Sequence, residues 1–277
     1  MRVLVTGGSS VVGDYLLPRL AAAGHEVTVI SRGAARSGTA RWLQLDAARQ
    51  PVWDASLADT QALIHLAPLT LLAKLLPQAP AALQRVVAIG TTSVYTKVES
   101  AAAKDRELVR QQRAAEEGLA AFGAARGVGY TLLRPTLVYD GRRDKNIARI
   151  AAMVRRFGFF PVAAPGHGLR QPLHADDLAA ACVAALDAGA SQAYELAGGE
   201  TLSYRAMLER IFRSLGKSPR VLPLPLVLYR VAIAAARVLP RYRGLTPEVA
   251  DRMNQDMVFD YSAASRDLGF KPRGFMP

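Results

Sequence analysis

A single cysteine, Cys182, leaves this 277-residue chain without any intrachain disulfide and without the thiol cluster of a structural zinc site. No metal is expected, and such cysteine usage suits the reducing cytoplasm. Acidic residues are also scarce, 23 Asp and Glu against 35 Lys and Arg, for a net charge of +12. That balance favours anionic partners such as phosphorylated cofactors, nucleotide-linked substrates or anionic lipid. An Arg-rich composition throughout the chain would produce the same sum. No basic run interleaved with aromatics appears, which argues against nucleic acid. Long apolar runs are missing too. The most apolar stretch, residues 221–240, is interrupted by Arg230 and Arg237 and carries Pro223 and Pro225, so no membrane span is expected. Residues 1–6 read as a strand rather than as the basic start of an export signal.

What is present is an alternation of short apolar runs with helical patterns. Strands are predicted over residues 2–5, 26–31, 41–45, 62–66, 85–90, 129–134 and 192–196. Helices are predicted over 11–23, 69–76, 105–125, 146–157, 175–186, 203–215, 224–239 and 247–257. Pro18 falls inside the first helix and should kink it. The order implies an α/β fold, a Rossmann-type doubly wound parallel sheet with right-handed crossovers. Residues 1–140 form the dinucleotide-binding core in this reading. Residues 141–277 return partly to that core and form a small, mainly helical lobe over the substrate.

The turn after the first strand reads Thr6-Gly7-Gly8-Ser9-Ser10-Val11-Val12-Gly13. A tight strand-to-helix turn of this kind brings backbone N–H groups to a pyrophosphate resting on the helix N-terminus. Its position at the head of a βαβ unit makes the assignment much stronger than a lone glycine motif. Ser10 stands where the middle glycine is usual. It is tolerated as a small residue, donates to a phosphate, or hinders the cofactor. The second strand ends Ile30-Ser31-Arg32, with no carboxylate to hold an adenosine ribose. A hydroxyl followed by a guanidinium suits a 2′-phosphate, so NADP is expected over NAD. The plainer reading makes Arg32 a solvated loop residue.

The motifs in order are Val5-Thr6-Gly7, Ser10 and Gly13, then Leu45-Asp46, Ile64-His65-Leu66-Ala67 and Ile89-Gly90-Thr91-Thr92-Ser93-Val94-Tyr95. Leu133-Arg134-Pro135-Thr136-Leu137-Val138-Tyr139, Arg170 to Asp177 and Arg266 to Pro272 follow. Together they resemble the extended or atypical short-chain dehydrogenase/reductases of the epimerase/dehydratase kind. The resemblance runs over nearly the whole chain. It implies that Asp46 meets the adenine and that Leu66 and Ala67 pack beside the adenosine. It sets Thr91 or Thr92 at the catalytic Ser/Thr position and Pro135, Thr136 and Leu137 along the nicotinamide. Tyr139, Arg170 and His174 would lie on the substrate side, where a positive charge suits a nucleotide diphosphate. Asp176 and Asp177 also fit a helix first turn for dipole reasons alone.

The family's proton-transfer pair is Tyr-x-x-x-Lys, whose spacing sets both side chains on one helix face. In the helix over 105–125 the resemblance puts Leu108 in the tyrosine's place and Gln112 in the lysine's. None of the six lysines has a tyrosine four residues earlier. Leucine transfers no proton, and glutamine holds a ribose hydroxyl without biasing a phenol. Tyr95, Tyr139 and His174 are the candidate replacements, with Tyr95 joining Thr91 and Thr92 in the candidate catalytic set. Two functions stay open. One is an NAD(P)-dependent oxidoreductase or epimerase acting on a nucleotide-linked sugar. The other is a non-catalytic dinucleotide-binding sensor or scaffold. Candidate partners are a nucleotide-diphosphate sugar, a second copy of the chain, and the inner membrane face. The last rests on residues 222–239, where Arg230 and Arg237 lie seven apart on an apolar helix. Packing within the lobe explains the same helix.

Overall fold

The computed structural model describes residues 1–33, 38–50, 52–189, 191–236, 238 and 248–277. Its strands are β1 (Arg2–Thr6), β2 (Glu26–Ser31), β3 (Arg41–Gln44), β4 (Ala62–His65), β5 (Arg85–Ile89), β6 (Gly129–Pro135), β7 (Val138–Tyr139), β8 (Phe160–Ala163), β9 (Leu169–Arg170), β10 (Leu173–His174), β11 (Gln192–Leu196), β12 (Leu202–Ser203) and β13 (Val221–Leu224). Its helices are α1 (Val11–Ala22), α2 (Leu72–Leu75), α3 (Ser93–Thr96), α4 (Ala103–Arg126), α5 (Ile147–Phe157), α6 (Ala175–Ala184), α7 (Tyr204–Ser214), α8 (Leu226–Ala236), α9 (Glu248–Arg252) and α10 (Ser262–Leu268).

Seven strands form one parallel sheet in the order β11-β6-β5-β4-β1-β2-β3. This is the doubly wound Rossmann architecture expected from the sequence. Buried parallel strands need apolar residues on both faces. In β1, Val3 and Val5 point into a layer with Leu16 and Leu20 of α1 and Leu178 and Cys182 of α6. Leu4 points the other way, toward Leu72 and Leu75 of α2 and Leu119 of α4. The chain order reverses between β1 and β4, so the crevice for a ligand opens at their carboxyl ends.

Three elements depart from the sequence reading. The helix over 69–76 is a short α2 flanked by two 3₁₀ turns. Pro68 opens it, and Pro77, with no backbone N–H to continue the α ladder, sits in the second 3₁₀ turn. Residues 221–224 form β13 and pair with β8, so α8 starts only at Leu226, after Pro225. Arg237 and Leu239 from that expected helix, and Pro247 from the next, lie outside the described residues. Helix α1 continues through Pro18. In the second half, β8, α5, α7, α8 and α9 share their own core around Phe160, Leu208, Phe212, Tyr229 and Met253. Among the described residues no helix is long and apolar enough to cross a membrane.

Candidate active site

The glycine turn closes on itself. Gly7 has φ +72°, and a Cβ there would sit 2.8 Å from the Ala67 nitrogen. A Cβ on Gly8 would meet Val29 at 2.5 Å, and one on Gly13 would meet the Gly8 carbonyl oxygen at 2.0 Å. Only glycine lets β1, β4 and α1 come this close. Ser10 is the N-cap of α1, its hydroxyl oxygen accepting the Gly13 N–H at 3.2 Å. The serine thus finishes the helix start that the missing glycine would leave open. The next two N–H groups, of Val11 and Val12, head the twelve-residue helix and face the crevice end, the position suited to a pyrophosphate.

His65 lies beneath this turn and is fully buried. Its Nε2 is 3.1 Å from the Pro68 carbonyl, which only accepts, so Nε2 carries the proton. Nδ1 then accepts the Thr6 hydroxyl at 2.7 Å. Burial pushes the imidazole down to about 4, so it is neutral at physiological pH. The sequence reading quoted His65 inside a motif but gave it no role. Its spacing carries no signal of this contact, which depends on β1 and β4 pairing in register.

At the end of β2, Ser31 is buried and its hydroxyl donates to the Ser9 hydroxyl at 3.0 Å while accepting the Gly33 N–H at 3.2 Å. It braces the turn and does not present a free hydroxyl to a 2′-phosphate. Arg32 is exposed. Asp46 follows β3, one carboxylate oxygen accepting the Ala48 N–H at 3.1 Å. Leu66 and Ala67 continue β4 directly under Gly7.

Past β5, the two threonines differ. Thr92 is buried and its hydroxyl donates to the Pro135 carbonyl at 3.2 Å. Thr91 accepts the Ser93 N–H at 3.1 Å, which leaves its own O–H to donate. Both line a cleft of about 950 Å³ between the sheet and the lobe. Thr136 and Leu137, after β6, line it as well, with Pro135 behind Thr92. Gln112 on α4 has a buried Oε1 that finds no partner among the described residues. A buried acceptor without a donor is costly, and a ribose hydroxyl is a donor of the right kind.

Tyr95 does not line the cleft. Its hydroxyl donates to Glu195 at 2.6 Å and accepts from Arg134 at 2.8 Å. Arg134 in turn makes a two-point pair with Glu116, at 2.6 and 3.2 Å. Partial burial first, then the Glu195 hydrogen bond, pushes the phenol up to about 12. That direction is opposite to what proton exchange near neutrality requires. Tyr139 is also removed from the substrate side. It is fully buried, with its hydroxyl accepting the Met276 N–H at 3.0 Å. His174 caps α6 by accepting the Asp176 N–H at 3.1 Å and packs edge-on against Tyr15 and Tyr139. Burial lowers its pKa. Arg170 does reach the cleft wall, but its guanidinium donates to the carbonyls of Leu169, Gln255 and Arg252 and lies over the Tyr204 ring. It is a clamp between β9 and the segment after α9. Asp176 and Asp177 sit in the first turn of α6 and bind Arg273 at 2.7–2.9 Å.

The positive charge of the cleft comes from elsewhere. Arg149, Met153 and Arg156 lie on α5, Lys145 just precedes its N-cap, and all four line the cleft. The helical spacings of four and three return Arg149, Met153 and Arg156 to one face. Lys145 and Arg149 make no ion pair among the described residues, while Lys97 across the cleft pairs with Asp105 at 2.9 Å. No Asp or Glu is among the described lining residues. The helix that carries Arg149 and Arg156 was readable in the sequence; what hid their role was the absence of any sign that they face the cleft.

The family model for NAD dependent epimerases and dehydratases matches residues 3–71 and 68–197. An uncharacterised protein of Sinorhizobium fredii is 27% identical over 147 residues, 53% of this chain and 37% of that protein. The mitochondrial NADH dehydrogenase [ubiquinone] 1 alpha subcomplex subunit 9 of Arabidopsis thaliana is 33% identical over 134 residues, 47% of this chain and 32% of that one. The chain thus spans about a third of the length of these two relatives. A 3-diazoavenalumate denitrifying reductase of Streptomyces sp is 29% identical over 262 residues, covering 82% of this chain and 86% of that protein. The UDP-glucuronic acid 4-epimerase of Bacillus cereus, solved with UDP-glucuronic acid and NAD, superposes with a TM-score of 0.72 at 17% identity. The match covers 98% of this chain and 94% of that one. Further neighbours of the fold were also solved with NAD. The expectation of NADP is therefore corrected to NAD, in keeping with a Ser31 hydroxyl already committed within the protein. On the strength of the match over residues 3–71 and 68–197, the chain belongs to the NAD dependent epimerase/dehydratase family.

Proposed function

We propose that the protein binds NAD across the ends of β1, β2 and β4 and acts as an oxidoreductase or epimerase on a nucleotide-linked sugar held in the cleft. The observation that carries this reading is the cluster of Lys145, before α5, with Arg149 and Arg156 on α5, in the same cleft as Thr91 with no Asp or Glu among its described lining residues. A diphosphate needs cations that are not already neutralised, and Lys145 and Arg149 supply them. The UDP-sugar bound by the Bacillus cereus neighbour supports the same class. The unpartnered Gln112 oxygen fits a ribose hydroxyl, and the N–H groups of Val11 and Val12 fit a pyrophosphate. Asp46, Leu66 and Ala67 would enclose the adenosine. Bound NAD supplies a nicotinamide ring able to accept or return a hydride. Thr91 donates its hydroxyl hydrogen to the reacting substrate oxygen and fixes its distance from Pro135, Thr136 and Leu137.

One observation favours a second reading, a non-catalytic NAD-binding protein. Leu108 and Gln112 replace the proton-transfer pair, and the tyrosine nearest in sequence to Thr91 is locked to Glu195 and Arg134. Calorimetry with NAD, then with UDP and UDP-glucuronic acid on the NAD-bound protein, tests both. The enzyme reading expects UDP affinity that falls with Arg149→Ala and with salt, and a nicotinamide absorbance change on mixing with a turned-over sugar nucleotide. Tight NAD and UDP-sugar binding with no absorbance change across a panel of sugar nucleotides selects the second reading. Failure to bind UDP or UDP-glucuronic acid refutes the substrate class.

A further inference from the structure

Helix α8 packs Tyr229 and Ile233 into the lobe core and turns the rest outward. Val227, Leu228 and Val231 are 70%, 56% and 60% exposed. Ala232, Ala234 and Ala235 are exposed beside them. The one charged side chain on the helix, Arg230, is held by Asp251 at 2.7 and 2.9 Å. This outward face is therefore aliphatic throughout. It does not stop at the helix. Leu222 on β13 is exposed, and β13 pairs with β8, whose approach carries exposed Phe157 and Phe159 with ring centroids 6.3 Å apart. Soluble proteins seldom leave that much contiguous large apolar surface uncovered.

The unpaired charge beside this surface is basic. From residue 210 to residue 236 the sequence contains four Arg and one Lys and no Asp or Glu, with Arg210, Arg213 and Arg230 paired to Glu200, Glu209 and Asp251. Arg155, Arg156 and Arg220 are exposed next to the two phenylalanines. An aliphatic face with a basic rim is the pattern that enters the headgroup region of an anionic bilayer. A neutral protein partner would not need three exposed arginines beside the apolar face. A second copy of the chain would meet its own cations. The same elements lead into the cleft, since Arg156, Phe157 and Tyr229 line it.

We propose that the α8 face, with Leu222, Phe157 and Phe159, docks the protein on an anionic lipid bilayer and places the mouth of the cleft at its surface. Docking is peripheral and reversible. It rests on exposed side chains alone and is independent of what the cleft binds.

Flotation of the full chain with vesicles of phosphatidylcholine alone, and of phosphatidylcholine mixed with phosphatidylglycerol, tests it. Binding is expected to the mixed vesicles only. Val227→Asp combined with Val231→Asp should abolish it, and Arg220→Gln should weaken it roughly fivefold, the share of one basic residue near an anionic surface. Both variants change exposed residues, and unaltered melting curves and NAD affinity show that they remain folded. Absence of binding to the mixed vesicles overturns the proposal, as does binding that the aspartates leave unchanged. Sedimentation showing a dimer that the double variant converts to monomer also overturns it, assigning the face to a second copy.

Discussion

Lowering the pH should destabilise this protein through His65, starting before its carboxylates titrate. In the unfolded chain the imidazole has its ordinary value of 6.5, whereas burial between β1 and β4 holds it at about 4 in the folded state. Above 6.5 both states carry it neutral, and it contributes no slope. Between 6.5 and about 4 the unfolded chain takes up a proton that the folded chain refuses. Stability then falls by about 1.4 kcal/mol per pH unit, or about 3 kcal/mol across the window. Domains hold only about 5–15 kcal/mol in total, so the loss is substantial. Full burial of His65 leaves solvent little room to soften it. The perturbation is His65→Gln, which keeps an amide donor for the Pro68 carbonyl and cannot titrate. Urea unfolding of both proteins along a pH series gives the difference curve. Contributions of the carboxylates, and of His25 and His174 with their own lowered values, cancel in it. The variant should be less stable than the parent near neutrality and approach or overtake it toward pH 4. Parallel stability curves from about pH 7 to about pH 5 would show that His65 is not held neutral, and the reasoning would fail. NAD affinity of the folded protein should hold through this window and fall only as the pH approaches about 4, where protonation in the folded state removes the acceptor of the Thr6 hydroxyl next to Gly7.

Three further outcomes follow from the site. Gly13→Ala drives a methyl into the Gly8 carbonyl, where only backbone can yield, and should cost more than about 3 kcal/mol in a urea melt. Arg149→Ala removes one uncommitted cation from the cleft and should weaken UDP about tenfold or more by calorimetry, with NAD affinity unchanged. Gln112→Leu removes the unpartnered acceptor. It should leave stability level or slightly raised while weakening NAD about fivefold, the worth of one hydrogen bond.

The first half of the fold was legible because its signals are local. Val3, Leu4 and Val5 are apolar on both faces because a central parallel strand is buried on both, and Gly13 announces a turn that no other residue closes. The β-strands of the small sheets were missed because each is two to four residues long and exists only through its partner: β13 needs β8, and β12 needs β9. The same limit explains the substrate side. His174 and Tyr139 looked like free polar groups, yet one caps α6 and the other receives the Met276 N–H from the far end of the chain. Ser31 invited a phosphate until its partner Ser9, 22 residues away, took the hydroxyl.

With no lysine four residues after a tyrosine anywhere in the sequence, the surroundings of Tyr95 carry a consequence that the sequence alone does not reveal. Arg134 binds Glu116, Glu195 and the Tyr95 hydroxyl at once, so the phenol beside the active strand ends is part of a mostly buried ion network. Freeing Tyr95 for catalysis would leave Glu195 without its hydroxyl donor and Arg134 with one acceptor fewer, each a hydrogen bond to a charged group worth about 1.5–3 kcal/mol. The network therefore holds Tyr95 out of the cleft more firmly than its half-exposed ring suggests. Thr91, with its hydroxyl hydrogen still to donate, is the one sequence-predicted catalytic side chain that keeps both its place in the cleft and a free chemical function. Chemistry of the proposed kind would run on hydrogen bonding from Thr91 and the charge of Lys145, Arg149 and Arg156. That arrangement orients a substrate strongly and moves protons weakly, so a nucleotide-linked sugar of the proposed class should be bound far better than it is turned over.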